Sequence, residues 1–219
     1  MSEDNKPESE FEEIQAEAQK AAEEKVEIAD EVRDITLKAL SEGKLDSARI
    51  KNVINAVVQG VSTGAATKDN KDNNVKTTLK QAFTGVDEAL AKTAEASKLA
   101  VEEAMGRIKD YNKEELDKAI KDIKELETIF METVKTVSKT GSTLVKDTLD
   151  DLITHAKHTG TEVGKNSKEI VSELTQQLAQ TAQETVSASA HAARTLASNI
   201  AEAAAGFLSG LAESLKPKK

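Results

Sequence analysis

Apolar positions from Val75 to Leu215 recur with a period of eleven residues. Eleven residues in three helical turns, about 3.67 per turn, stay on one side of a nearly straight helix with a slight right-handed drift. One row consists of Val75, Val86, Ser97, Ile108, Ala119, Phe130, Gly141, Leu152, Val163, Leu174, Thr185, Leu196 and Phe207. A second consists of Leu79, Leu90, Val101, Asn112, Ile123, Val134, Val145, Ala156, Ser167, Leu178, Ser189, Ile200 and Leu211. The pattern predicts long amphipathic helices with a moderately apolar stripe.

A heptad-like pattern precedes this region. One apolar line contains Ile14, Ala21, Ile28 and Ile35, and the neighbouring line contains Phe11, Ala18, Val32 and Ala39. This spacing predicts a helix from Phe11 to about Ser41, with Gly43 in its C-terminal cap. Asp46 is the predicted N-cap of a shorter helix that ends between Gly60 and Gly64.

Residues 8 to 216 contain no proline, so no proline interrupts a helix in this range. The region from Val75 to Leu215 would be either one continuous rod, roughly 210 Å long, or a set of antiparallel segments that fold back near residues 111 and 160. Folding back is favoured because a lone thin stripe is poorly buried. Six segments follow: a disordered lead (1–9), a helical hairpin (10–64), a loop (65–74), long helical segments (75–164), a C-terminal amphipathic helix (165–215) and a basic tail (216–219).

Composition points to the same class. Aromatic residues are 2% of the chain and charged residues are 32%, which is typical of long helices and coiled coils and unlike a globular domain with a thick core. We therefore predict an all-α fold, an elongated helical bundle or coiled coil. The net charge of −9 disfavours nonspecific nucleic-acid binding.

Targeting and redox signals are absent from the sequence. The chain contains no cysteine, which excludes disulfides and thiolate metal sites. The N-terminus lacks a signal-peptide pattern, and no apolar run is long enough to span a bilayer. We expect a cytoplasmic protein, and a peripheral position on granules or a membrane is compatible with this expectation.

Catalytic and metal-binding patterns are few. Asp151, His155 and His158 fall on one helix face at i, i+4 and i+7, where they would either converge on a metal ion or form a solvated polar edge beside a turn. Neither a Glu-x-x-His pair nor a phosphate-binding loop or nucleophile elbow occurs. We predict a non-enzymatic protein with no cofactor and no assigned metal site.

The region 75–219 resembles phasins, the proteins that coat polyhydroxyalkanoate granules. The shared features are Ala/Thr/Ser/Val-rich amphipathic helices, the absence of Cys, the near absence of Pro inside helices, and the Lys216-Pro217-Lys218-Lys219 end. Residues 79–108 and 152–164 are also similar to an uncharacterised family of bacterial helical proteins, a likeness that implies no activity. Eleven-residue repeats occur in desiccation proteins and exchangeable apolipoproteins as well.

The predicted function is to self-associate and coat an apolar surface, such as a polyhydroxyalkanoate granule or a membrane. The residues predicted to contact that surface are Leu174, Leu178, Leu196, Ile200, Phe207, Leu208, Leu211 and Leu215. The expected partners are further copies of the chain and the surface itself, and the helix at 10–40 is a possible oligomerisation or docking arm. The alternatives are a coiled-coil scaffold or filament that binds only proteins, and a desiccation-type protective protein.

Overall fold

The computed structural model describes residues 6–24, 27–42, 45–67, 72–107 and 113–186. Within these ranges the chain forms seven helices and no strand. They are α1 (Lys6–Glu24), α2 (Ile28–Ser41), α3 (Ser47–Thr67), α4 (Asp72–Arg107), α5 (Lys113–Ser138), α6 (Thr143–Thr159) and α7 (Glu162–Val186). The predicted all-α fold is confirmed, and the helices pack as a bundle around a shared apolar core.

The helix predicted from Phe11 to Ser41 is divided into α1 and α2. Between them Glu27 has a left-handed backbone with φ 42°. The division follows from the packing, since α1 lies mainly against α3 whereas α2 lies mainly against α4. One straight helix cannot follow both partners, so the region predicted as a docking arm is built into the bundle as two helices.

Two predicted helix ends in this region agree with the structure. Helix α2 ends at Ser41, where the stop was expected. Asp46 caps α3 as predicted, because the backbone N–H of Arg49 donates to its Oδ1 at 2.9 Å. Helix α1, in contrast, begins at Lys6, earlier than the expected start at Phe11 and inside the segment 1–9 that was predicted to be disordered.

The prediction that the second helix ends between Gly60 and Gly64 is wrong, because α3 continues to Thr67. Both glycines face α1. A Cβ built on Gly60 would overlap the carbonyl oxygen of Gln15, and one on Gly64 would lie 2.9 Å from the Cβ of Ala22. These glycines therefore serve close helix packing and do not break the helix.

The region after residue 75 is folded and is not a continuous rod in the described part of the chain. Phe83 of α4 packs on Phe130 of α5 with ring centroids 4.7 Å apart. Helices α4 and α5 are joined across the predicted break near 111 and run antiparallel. A further turn occupies residues 139–142, between α5 and α6.

The predicted fold-back near residue 160 is a break without a reversal. Helix α7 runs parallel to α4, because Glu95, Lys98 and Glu102 contact Asn166, Glu173 and Gln177 in the same order along both helices. Since α5 runs opposite to α4, the chain reverses at 139–142 and continues in one direction through Gly160. The tight Thr136–Thr140 turn, with Thr140 N donating to Val137 O at 3.0 Å, makes that reversal.

Most described members of the two eleven-residue rows lie inside the bundle. In the first row, Val75, Val86, Phe130, Val163 and Leu174 are buried. In the second, Leu79, Leu90, Val101, Ile123, Val134, Val145, Ala156 and Ser167 are buried. Gly141 is exposed because it lies in the turn between α5 and α6. The stripe is thus used for packing between helices, and the repeat itself remains a property predicted from the sequence.

Candidate surface-binding helix

Two of the eight residues predicted to bind an apolar surface lie in the described part of the chain, and both are on α7. Leu174 is fully buried, with 0% of its surface exposed, and Leu178 is partly buried against the core. While α7 is docked, Leu174 therefore packs against the other helices of the bundle and cannot contact an external apolar surface. The remaining six, Leu196, Ile200, Phe207, Leu208, Leu211 and Leu215, lie outside the described residues.

The N-terminus of α7 is capped partly by its own chain and partly by α4. Thr161 Oγ1 accepts a hydrogen bond from Gly164 N at 3.0 Å, which makes it the local N-cap. The carboxylate of Asp87, on α4, accepts from Glu162 N at 2.7 Å and from Val163 N at 2.9 Å. The C-terminal amphipathic helix therefore begins at Glu162, three residues before the predicted boundary at 165.

Helix α5 reaches the same junction through Glu127. Thr161 Oγ1 donates to Glu127 Oε1 at 2.7 Å, and Lys168 Nζ lies 3.9 Å from Glu127 Oε2. A Cβ on Gly164 would overlap this carboxylate, so the glycine leaves the space that Glu127 fills. Side chains from two helices thus converge on residues 161–164.

Burial is the main influence on the pKa of Asp87 and raises it above the ordinary value for aspartate. The backbone N–H groups of Val163 and Glu162 act in the opposite direction, and the nearby carboxylates of Glu162 and Glu127 raise the pKa further. The net result is a raised pKa. The charged form of Asp87 is therefore less favourable in the folded protein than in the unfolded chain.

This shift predicts a pH dependence of stability. A raised folded pKa gives a contribution that is fully present below the unfolded pKa of Asp87 and is lost as pH rises through the folded value. Acidification from about pH 7 to about pH 4 should therefore increase the unfolding free energy of the wild type relative to Asp87→Asn. Urea unfolding of both proteins across this range measures the difference, in which the other carboxylates cancel. A constant difference, or one that shrinks on acidification, would contradict the assignment.

Polar side chains continue along the α4–α7 boundary. Asn166 Nδ2 donates to Glu95 Oε1 at 3.0 Å, Gln177 Nε2 donates to Glu102 Oε1 at 3.1 Å, and Lys98 pairs with Glu173. Partly exposed pairs of this kind contribute about 0–1 kcal/mol each. They fix how α7 lies on α4 without holding it strongly.

Over residues 162–180, where the side chains of α7 are described, its buried side is apolar except at Ser167. Val163, Ile170 and Leu174 are buried. Ser167 lies on the same side, 3% exposed, and among the described residues its hydroxyl has no hydrogen-bond partner. A buried hydroxyl without a partner destabilises the docked helix.

Replacing Ser167 with alanine should therefore raise the unfolding free energy by about 1 kcal/mol, since it removes the unsatisfied group and improves helix propensity. Ser172→Ala is the matched control, because Ser172 is exposed on the same helix and only propensity changes there. Urea unfolding followed by circular dichroism compares the two. If both substitutions raise the unfolding free energy equally, the buried Ser167 hydroxyl does not destabilise the protein.

The histidine face of α6 offers no preformed metal site. Asp151, His155 and His158 are all exposed. No group of three or more His, Asp or Glu side chains within the described ranges is placed to hold a metal ion. None of the described helices combines the length and apolar character needed to cross a bilayer.

Comparison with known proteins places the chain in a family. A family model described as a family of unknown function (DUF6781) matches residues 4–217. The chain belongs to the DUF6781 family. The uncharacterised-family resemblance expected from the sequence is consistent with this match, and the resemblance to phasins gains no support from it. Neither a curated protein nor a solved structure matches this DUF6781 member.

Proposed function

We propose that this protein is a non-enzymatic amphipathic-helix protein that coats an apolar surface, and that α7 and the segment after it make the contact. The observation that carries the proposal is the character of α7. In the described part of the chain its apolar side is buried against the other helices of the bundle, whereas its polar contacts with α4 and α5 are individually weak and its buried side includes the unsatisfied Ser167. Such a helix can exchange one apolar partner for another.

For the apolar side chains of α7 itself, the energetics of that exchange are close to balanced. Undocking α7 exposes Val163, Ile170 and Leu174, at a cost of about 1.5–3 kcal/mol for each fully buried side chain. An apolar surface buries the same side chains again. The docked and surface-bound states then differ mainly in polar contacts and chain entropy, so the availability of a surface shifts the population.

Self-association is part of the same proposal. When α7 undocks, it exposes the faces of α4 and α5 that it had buried. A second copy of the chain, or the apolar surface itself, can bury these faces again. The finer version of the proposal, taken from the resemblance to phasins, is that the surface is a polyhydroxyalkanoate granule with the protein peripheral on it. A membrane is the other surface of suitable chemistry.

Co-sedimentation with polyhydroxybutyrate particles, and separately with anionic vesicles, tests the proposal. The full chain should pellet with at least one of them. The double variant Ile200→Glu/Leu211→Glu should lose binding affinity by about tenfold or more, because it places two charges in the predicted contact row. Leu99→Glu is the matched control, since Leu99 is on α4 and is already 64% exposed. A wild-type chain that stays in the supernatant with both surfaces would overturn the proposal.

A coiled-coil scaffold that binds only proteins is the second candidate. The observation that favours it is the continuous core in which Phe130, Leu90 and Ile54 are fully buried. It predicts a fixed oligomer mass by light scattering that particles or vesicles leave unchanged. Coating predicts instead that such surfaces deplete the oligomer from solution.

A further inference from the structure

We propose that the α6–α7 junction is a hinge and latch: α7 swings out about Gly160 as an intact helix, and Asp87 and Glu127 hold it closed. This inference rests on the proposed function, because it says how the surface-binding helix is regulated. It concerns the docked state in solution and can be tested without any surface.

The hinge is at Gly160. Its φ is +80°, a left-handed value that favours glycine, and it is exposed between two helices. The last turn of α6 is closed by Gly160 N donating to Ala156 O at 2.8 Å. A rotation at Gly160 therefore leaves the hydrogen bonds of α6 in place.

Helix α6 has its own anchorage and stays behind. Val145, Leu149 and Ile153 are buried against neighbouring helices, and Ser138 Oγ donates to Asp150 Oδ1 at 3.0 Å across the α5–α6 turn. The helices against which α6 mainly packs are α5 and α4. The structural boundary between the part that moves and the part that remains falls at residues 160–161.

The latch consists of contacts that α7 loses when it moves. Caps are normally supplied by the residue just before a helix, but here Asp87 on α4 satisfies Glu162 N and Val163 N. Glu127 on α5 holds the hydroxyl of Thr161. Thr161 still caps Gly164 N after release, since both belong to the moving part, so α7 remains helical at its start.

Charge keeps the latch weak enough to open. Asp87, Glu127 and Glu162 bring three carboxylates to the junction, and their repulsion adds to the burial of Asp87. Lys168 Nζ lies 3.9 Å from Glu127, on the outer side and well exposed. The closed junction thus carries an electrostatic penalty that release removes.

Thiol labelling of the full chain reads out the latch directly, because the natural sequence has no cysteine. Ser167→Cys places a near-isosteric buried thiol on α7, and Ala156→Cys places one on the buried side of α6. In the Ser167→Cys background, Asp87→Ala should raise the labelling rate about tenfold, the factor equivalent to about 1.4 kcal/mol. The rate at Ala156→Cys should stay within about twofold of its parent.

Two further variants make the result specific. Gly164→Ala should also speed labelling at position 167, because its Cβ displaces the Glu127 carboxylate although alanine favours the helix. Glu95→Ala is the control on the same boundary away from the junction, and because its exposed hydrogen bond to Asn166 is worth about 0–1 kcal/mol, it should raise the rate at position 167 by clearly less than Asp87→Ala does. An unchanged rate at position 167, or equal increases at both positions, would overturn the latch. The labelling experiment contains no apolar surface, so a negative result there rejects the latch and leaves the coating proposal untouched. If labelling shows the latch but the protein does not co-sediment with particles or vesicles, only the coating proposal is rejected.

Discussion

Replacing Gly60 with leucine is expected to lower the unfolding free energy by about 3–5 kcal/mol. The α1–α3 contact leaves no room for a side chain, since even a Cβ would overlap the Gln15 carbonyl oxygen and lie 3.0 Å from the Cβ of Ala18. A backbone oxygen cannot move aside as a flexible side chain can. Helix α1 must therefore shift away from α3 or detach.

Urea unfolding followed by circular dichroism at a helical wavelength measures this effect. Thr63→Leu is the matched control, because it adds the same side chain to the exposed side of α3 and should change stability by less than about 0.5 kcal/mol. If the unfolding free energy falls equally in both variants, Gly60 is not required for the close approach of α1 and α3.

Truncating Phe130 to alanine should cost about 3–5 kcal/mol. Phe130 is completely buried in the core, and its ring is tilted by 43° against the ring of Phe83. In a chain with four phenylalanines, one tyrosine and no tryptophan, few other residues can fill the cavity. Denaturant unfolding with Leu99→Ala as control checks this, since Leu99 is mostly exposed and should contribute little. Similar losses for the two variants would contradict the position of Phe130 in the core.

Local signals in the sequence predicted a large part of this fold. Asp46 caps α3 because capping depends on residues within one turn. The burial of Val86 and Leu90 could be predicted because apolar periodicity identifies the side of a helix that packs against a partner. Both features depend on neighbours close in the chain, and they were predictable for that reason.

Features set by distant partners were not predictable. The division between α1 and α2 depends on which helices they pack against. Gly60 and Gly64 resemble a helix end until their contact with α1 is known, and Asp87 gives no sign in sequence that it caps a helix starting at Glu162.

Leu174 shows the same limit at the candidate site. An apolar stripe has the same pattern whether it meets a sister helix or an oily surface, so the sequence marked Leu174 as an apolar contact without naming the partner. The structure supplies that partner in the docked state. The Glu127 contact with Thr161 follows from the same long-range packing and was missed for the same reason.

The most direct test of the account is the distance between α4 and α7 with and without an apolar surface. Spin labels attached through Lys92→Cys and Ser172→Cys would occupy exposed positions on the two helices, in a chain with no other thiol. Double electron–electron resonance should give one short, narrow distance in solution and a longer, broader one when polyhydroxybutyrate particles or anionic vesicles are added. A short distance that persists in protein bound to those particles would contradict the release of α7.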